Sequence, residues 1–119
     1  MRSYEVPDEQ WITYFNDFSR EHAGWPATLE VLTDKTGPQR LAAELPLQGI
    51  SFDARGTRPC TIQIGAGDSL EANMSHTIDL PLHIRVAEPD NAEGGEEITI
   101  QIQPARGPTT LVRVHRPDA

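Results

Sequence analysis

Across 119 residues the chain sets 18 Asp and Glu against 10 Lys and Arg, a formal net charge of −8, with 37% hydrophobic and 24% charged residues. A length of this order suits one domain around one core, and the composition is globular rather than disordered. The acidic balance works against nucleic acid and anionic membrane surfaces, where binding rests on Lys and Arg neutralising phosphates.

The first periodic segment is residues 7–22. Pro7 suits a first helical turn, and Asp8 and Glu9 follow where the helix dipole favours anions. Trp11, Ile12, Phe15 and Phe18 form one apolar stripe, so the spacing predicts an amphipathic helix. His22 falls in the last turn, Gly24 can take a left-handed cap, and Pro26 forces Trp25 extended.

From residue 27 to residue 115 the period changes to two. Residues 27–31 alternate, and 34–38 read as a turn. Leu41, Ala43 and Leu45 continue with apolar side chains inward, and Pro46 breaks the run before Ile50 and Phe52. A turn at Arg55-Gly56 leads to Cys60, Ile62 and Ile64 on one face. Asp68 to Glu71 suit a capped helical turn. Met74, His76, Ile78 and Leu80 share a face, as do Leu82, Ile84 and Val86 beyond Pro81. Residues 89–95 read as an acidic loop, and Ile98, Ile100 and Ile102 alternate cleanly before a last strand at 111–115. The fold class is therefore α+β. One domain, 1–119, has its N-terminal helix packed on an antiparallel sheet or partly closed barrel of seven or eight strands.

At this point the chain resembles a known family. The segment His22-Ala23-Gly24-Trp25-Pro26 with Leu29-Glu30-Val31 is similar to the opening of a family of small bacterial proteins classed only as a domain of unknown function. Residues 45–50 and Ser75-His76-Thr77-Ile78, with Pro81 after them, are similar too. The resemblance implies a free-standing bacterial domain and brings no activity, ligand or catalytic residue with it.

The residues themselves offer no catalytic constellation. His76 and His83 flank Pro81 and could begin a metal site, but strand parity puts their rings on opposite sides of the sheet, and no third ligand is evident. A half-buried imidazole with a backbone or hydroxyl partner accounts for His76. Cys60, the only cysteine, shares parity with Ile62 and Ile64 and reads as a small buried hydrophobe. A single cysteine excludes an intrachain disulfide and suits a reducing compartment, so a soluble cytoplasmic protein is expected. The stretch 65–69 lacks the lysine and length of a phosphate loop, and the acidic run from Glu88 to Glu97 does not match a calcium loop. Arg106, Arg113, His115 and Arg116 read as a solvated edge.

No cofactor or metal is implied. The reading is a non-catalytic binding or protein-interaction module. Its expected contact surfaces are the rim at Trp25, apolar surface left bare by the helix, and an exposed strand edge able to join a protein partner or a second copy. The competing reading is a small-ligand protein or enzyme with a pocket around His76. A deep polar pocket at His76 would favour the second, and a filled interior the first.

Overall fold

The computed structural model describes residues 2–33, 37–53, 60–67, 73–88 and 97–117. In chain order they form β1 (Arg2–Glu5), a 3-10 turn (Asp8–Gln10), α1 (Trp11–Glu21), β2 (Pro26–Thr33), β3 (Gly37–Asp53), β4 (Thr61–Gly67), β5 (Asn73–Asp79), β6 (Pro81–Glu88), β7 (Ile98–Pro104) and β8 (Thr109–Val114). The eight strands make one open antiparallel sheet in the order β1-β6-β7-β8-β2-β3-β4-β5, with α1 packed against it. The architecture is α+β. Residues 34–36 of the turn read at 34–38, the turn at 55–56, the helical turn at 68–71 and the loop at 89–95 lie outside the described residues.

The helix starts later than Pro7 suggests. Pro7 is extended (φ −62°, ψ 148°) and only the 3-10 turn separates it from Trp11. The Trp11 indole N–H donates to the Val6 carbonyl at 2.8 Å, while the Val6 N–H donates to the Ile84 carbonyl. Those two bonds tie the chain entering the helix to β6. Trp11, Phe15 and Phe18 are buried as expected. Ile12 is not: it is 53% exposed, because it lies about 100° around the helix from Trp11. Tyr14 joins the stripe instead, stacked on Phe18 and edge-on to Phe15. Gly24 then adopts the left-handed conformation (φ +85°) that ends the helical segment.

β3 is the pivot of the sheet. Pro46 does not break it: one continuous 17-residue strand pairs with β2 through its first half and with β4 through its second. Between the halves Glu44 has φ +52°, and the ladder shifts register at Ala27/Leu29, Leu29/Glu30 and Leu47/Gly49. These bulges let the strand turn without losing its partners. The β4–β5 end is thereby brought over the other strands, and Ile62, Ile64 and Ile78 enter one core with Ile84, Ile100, Ile102, Val112 and Val114.

Bulges and one corner overturn four face assignments. Leu29 opposes Ala42 and Glu30 opposes Arg40, so Leu41 is looped out of the ladder. Ala42 is buried, while Leu41 and Ala43 are exposed. Leu80 is exposed because it sits at a corner (φ +52°), its N–H donating to the Cys60 carbonyl and its carbonyl accepting from Ala105. Leu82 is exposed because the β6–β7 register slips between Pro81 and His83. Where the ladder is regular the alternation holds: Ile100 and Ile102 on β7 and Val112 and Val114 on β8 are fully buried. No helix among the described residues is long and apolar enough to cross a membrane.

Candidate functional site

A groove of about 240 Å³ opens between the helix and the sheet, lined by Tyr14, Asp17, Phe18, Glu21, His22, Glu88 and Ile98. Its helical wall follows from spacing. Residues 14, 17, 18 and 21 are three and four apart, so they stack along one flank of α1. Glu88 at the end of β6 and Ile98 at the start of β7 close the opposite side.

The chemistry of the groove is an apolar floor rimmed by acids. Phe18 is buried and stacks on the His22 ring at 4.2 Å, and Trp25 meets that ring edge-on at 4.5 Å. The His22 Nδ1–H donates to the Phe18 carbonyl at 2.9 Å. That bond fixes the tautomer, so in the neutral ring Nε2 is a hydrogen-bond acceptor. Asp17 is paired with Arg20, and Glu88 is paired with Arg2. Glu21 has no ion-pair partner among the described residues. Burial, then the nearby Tyr4 and Glu88, pushes the ionisation of Tyr14 well above the ordinary tyrosine range. Tyr14 is therefore a neutral wall, not an acid or base.

His76 lies elsewhere. On β5 its ring is half-buried, and its Nε2 hydrogen-bonds the hydroxyl of Thr110, a buried residue of β8, at 3.1 Å. This is a hydroxyl partner of the kind expected for it. Trp25 reaches the groove only through its contact with His22, so His76 and Trp25 share no site. His83 points to the solvent side, where Glu5 of β1 meets its Nδ1 at 2.9 Å. The two histidines thus take separate partners. Among the described residues no three His, Cys, Asp or Glu side chains gather as a metal-binding group.

Sequence comparison places this arrangement in a wider set. The profile of a family of unknown function, DUF5335, matches residues 3–119. The chain belongs to this family. A protein of Aquifex aeolicus (strain VF5) described as uncharacterized is 27% identical over 114 residues, covering 96% of this chain and 93% of that one. No solved structure matches.

The remaining sequence candidates in this DUF5335 domain find structural roles. Arg113 pairs with Glu30 of the neighbouring β2 and lies 3.5 Å from Glu97, and His115 meets Glu44 at 3.0 Å, so these basic groups are held by nearby carboxylates. Cys60 is half-buried rather than buried, because it precedes the first ladder residue of β4 and only its carbonyl is engaged, by Leu80. The groove itself was missed by sequence reasoning. The repeat Tyr14, Asp17, Phe18, Glu21 was visible as a mixed aromatic and acidic helical flank; Glu88 and Ile98 are distant in sequence and arrive only through the sheet.

Burial holds the His76 imidazole below its ordinary value. In the unfolded chain the ring takes a proton near pH 6.5, and in the folded chain only at lower pH. Acidification through that range therefore favours the unfolded state, and nothing is lost above it. Urea midpoints at pH 8, 6.5 and 5 are expected to fall with decreasing pH, with a shallower fall in His76→Gln. Equal slopes in both proteins would show that His76 is not the group responsible.

Proposed function

We propose that the domain is a non-catalytic interaction module that seats a cationic side chain of a partner polypeptide, Lys or Arg, in the groove between α1 and the sheet. One observation carries this reading. The groove combines an aromatic floor with a carboxylate, Glu21, that no basic residue of the described chain neutralises. A guanidinium or ammonium group stacked on aromatic rings and bonded to a carboxylate gains from both contacts, and His22 Nε2 adds an acceptor. The formal charge of −8 would attract such a partner from a distance.

The interior also supports an interaction role. Phe15, Leu29, Ile62, Ile64, Ile84, Ile100 and Ile102 fill the core, and no buried side-chain nitrogen or oxygen among the described residues lacks a hydrogen bond. His76 is already engaged by Thr110.

The test is titration of the domain with a short Arg- and Lys-containing peptide, followed by the intrinsic fluorescence of Trp11 and Trp25, with a Glu-containing peptide of equal length as control. Binding of the basic peptide alone is expected. Glu21→Gln should weaken it roughly tenfold, the scale of one charge-assisted contact. Equal binding of the acidic peptide, or no effect of Glu21→Gln, would reject the groove as the site.

A further inference from the structure

An open sheet leaves strand edges, and among the described residues those of β1 and β3 are obstructed. β1 has only four residues, with Arg2 and Glu5 at its ends. The outer side of the first half of β3 carries the looped-out Leu41, the charged Arg40 and the left-handed Glu44. The second half of β3 is covered by α1, whose Ser19 hydroxyl bonds both the N–H and the carbonyl of Ile50. Bulges, charges and helical cover are how native sheets prevent strands from pairing with other chains.

β5 carries none of these. Its seven residues pair with β4 without a register shift, from Thr61 opposite Asp79 to Gly67 opposite Asn73. It has no proline, and its one charged residue is the terminal Asp79. No strand among the described residues pairs with its other side. The run ends cleanly because Leu80 turns away with φ +52° and its carbonyl is taken by Ala105.

The side chains of β5 also read the same in both directions. Asn-Met-Ser-His-Thr-Ile-Asp places an amide and a carboxylate at the ends. Met74 and Ile78 come next inward, then Ser75 and Thr77, with His76 at the centre. Two copies of one strand pairing antiparallel are related by a two-fold axis normal to the sheet, so each residue faces a residue on the same side. Only the register centred on His76 pairs all seven positions. It sets Met74 opposite Ile78 on the core side, Ser75 opposite Thr77 on the solvent side, and Asn73 opposite Asp79 at each end. Apolar meets apolar, hydroxyl meets hydroxyl, and no like charges oppose one another.

From this juxtaposition we propose that the domain forms a two-fold dimer by antiparallel pairing of β5 with β5 of a second copy, centred on His76, joining the two sheets into one. The interface is independent of the groove on α1.

Charge substitution at the two exposed hydroxyl positions tests both the surface and the register. In Ser75→Glu/Thr77→Glu, each new carboxylate faces another across the axis, and dimer affinity measured by sedimentation equilibrium should fall roughly tenfold. Ser75→Lys/Thr77→Lys should weaken it similarly although the net charge moves the other way. Ser75→Glu/Thr77→Lys sets opposite charges face to face and should stay within about threefold of the wild type. In the wild type, amide exchange in β5 should slow as concentration rises. A wild type that stays monomeric at millimolar concentration, or association untouched by both like-charge pairs, would overturn the interface. A Glu/Lys pair as weak as the Glu/Glu pair would overturn the register.

Discussion

Phe15→Ala is expected to lower unfolding stability by about 3–5 kcal/mol, a large fraction of the roughly 5–15 kcal/mol that holds a domain folded. Phe15 has no exposed surface and stands at the centre of the helix stripe, between Trp11 and Phe18. The cost has two parts, the transfer energy of a phenyl ring and the cavity left where the sheet cannot collapse onto the helix. The curvature that brings β4 and β5 over the other strands is fixed by bulges in β3, so the void has little freedom to close. Ile12→Ala, one turn earlier on the exposed flank, is expected to change stability by no more than about 0.5 kcal/mol. Chemical denaturation of the two variants measures the contrast, and comparable losses in both would show that the helix does not seal the core through this stripe.

The same contrast explains what the sequence made legible. Periodicity identifies a buried face wherever the backbone repeats regularly. α1 and the β7–β8 pair are regular, and Trp11, Phe15, Phe18, Ile100 and Ile102 were assigned to the core from spacing alone. Parity failed at Leu41, Ala43, Leu80 and Leu82 because each lies at or beside a bulge or a left-handed residue, and one extra residue in a strand reverses every face after it. Neither Glu44 nor Leu80 is a residue type that announces a positive φ. β1 left no signal at all: Arg2-Ser3-Tyr4-Glu5 has no apolar alternation, and it is a strand because β6 offers it an edge.

The groove was half legible for a related reason. A helix shows its faces in sequence, so the Tyr14, Asp17, Phe18 and Glu21 flank was open to reading, although the aromatic stripe drew attention to core packing instead. What faces that flank depends on where β6 ends and β7 begins, and no local pattern encodes it. The β5 palindrome is the opposite case. It is fully visible in seven letters, yet it means nothing until the sheet order places that strand at an unobstructed edge.

Ser19→Ala is the second substitution expected to have a large effect, about 2 kcal/mol. The second half of β3 pairs with β4 on one side only, and on the other it meets a helix, which offers no ladder of its own. Backbone groups at such a seam must find partners or go unsatisfied. One hydroxyl does the work of a strand here. The Ser19 O–H donates to the Ile50 carbonyl at 2.9 Å, and the Ser19 oxygen accepts from the Ile50 N–H at 2.8 Å. Ser19 also lies beside the neighbouring Gly49, where a Cβ would sit 3.5 Å from its oxygen, an ordinary van der Waals contact. Alanine removes both bonds while keeping the helix intact, since its intrinsic helix propensity exceeds that of serine. The loss should therefore appear in tertiary stability and in faster amide exchange at Ile50, with helical circular dichroism unchanged below the transition. Threonine, which keeps the hydroxyl, should recover part of the loss. If Ser19→Ala matched the wild type in both denaturation and exchange, water would have to reach Ile50, and the helix would not be sealing the β3 edge.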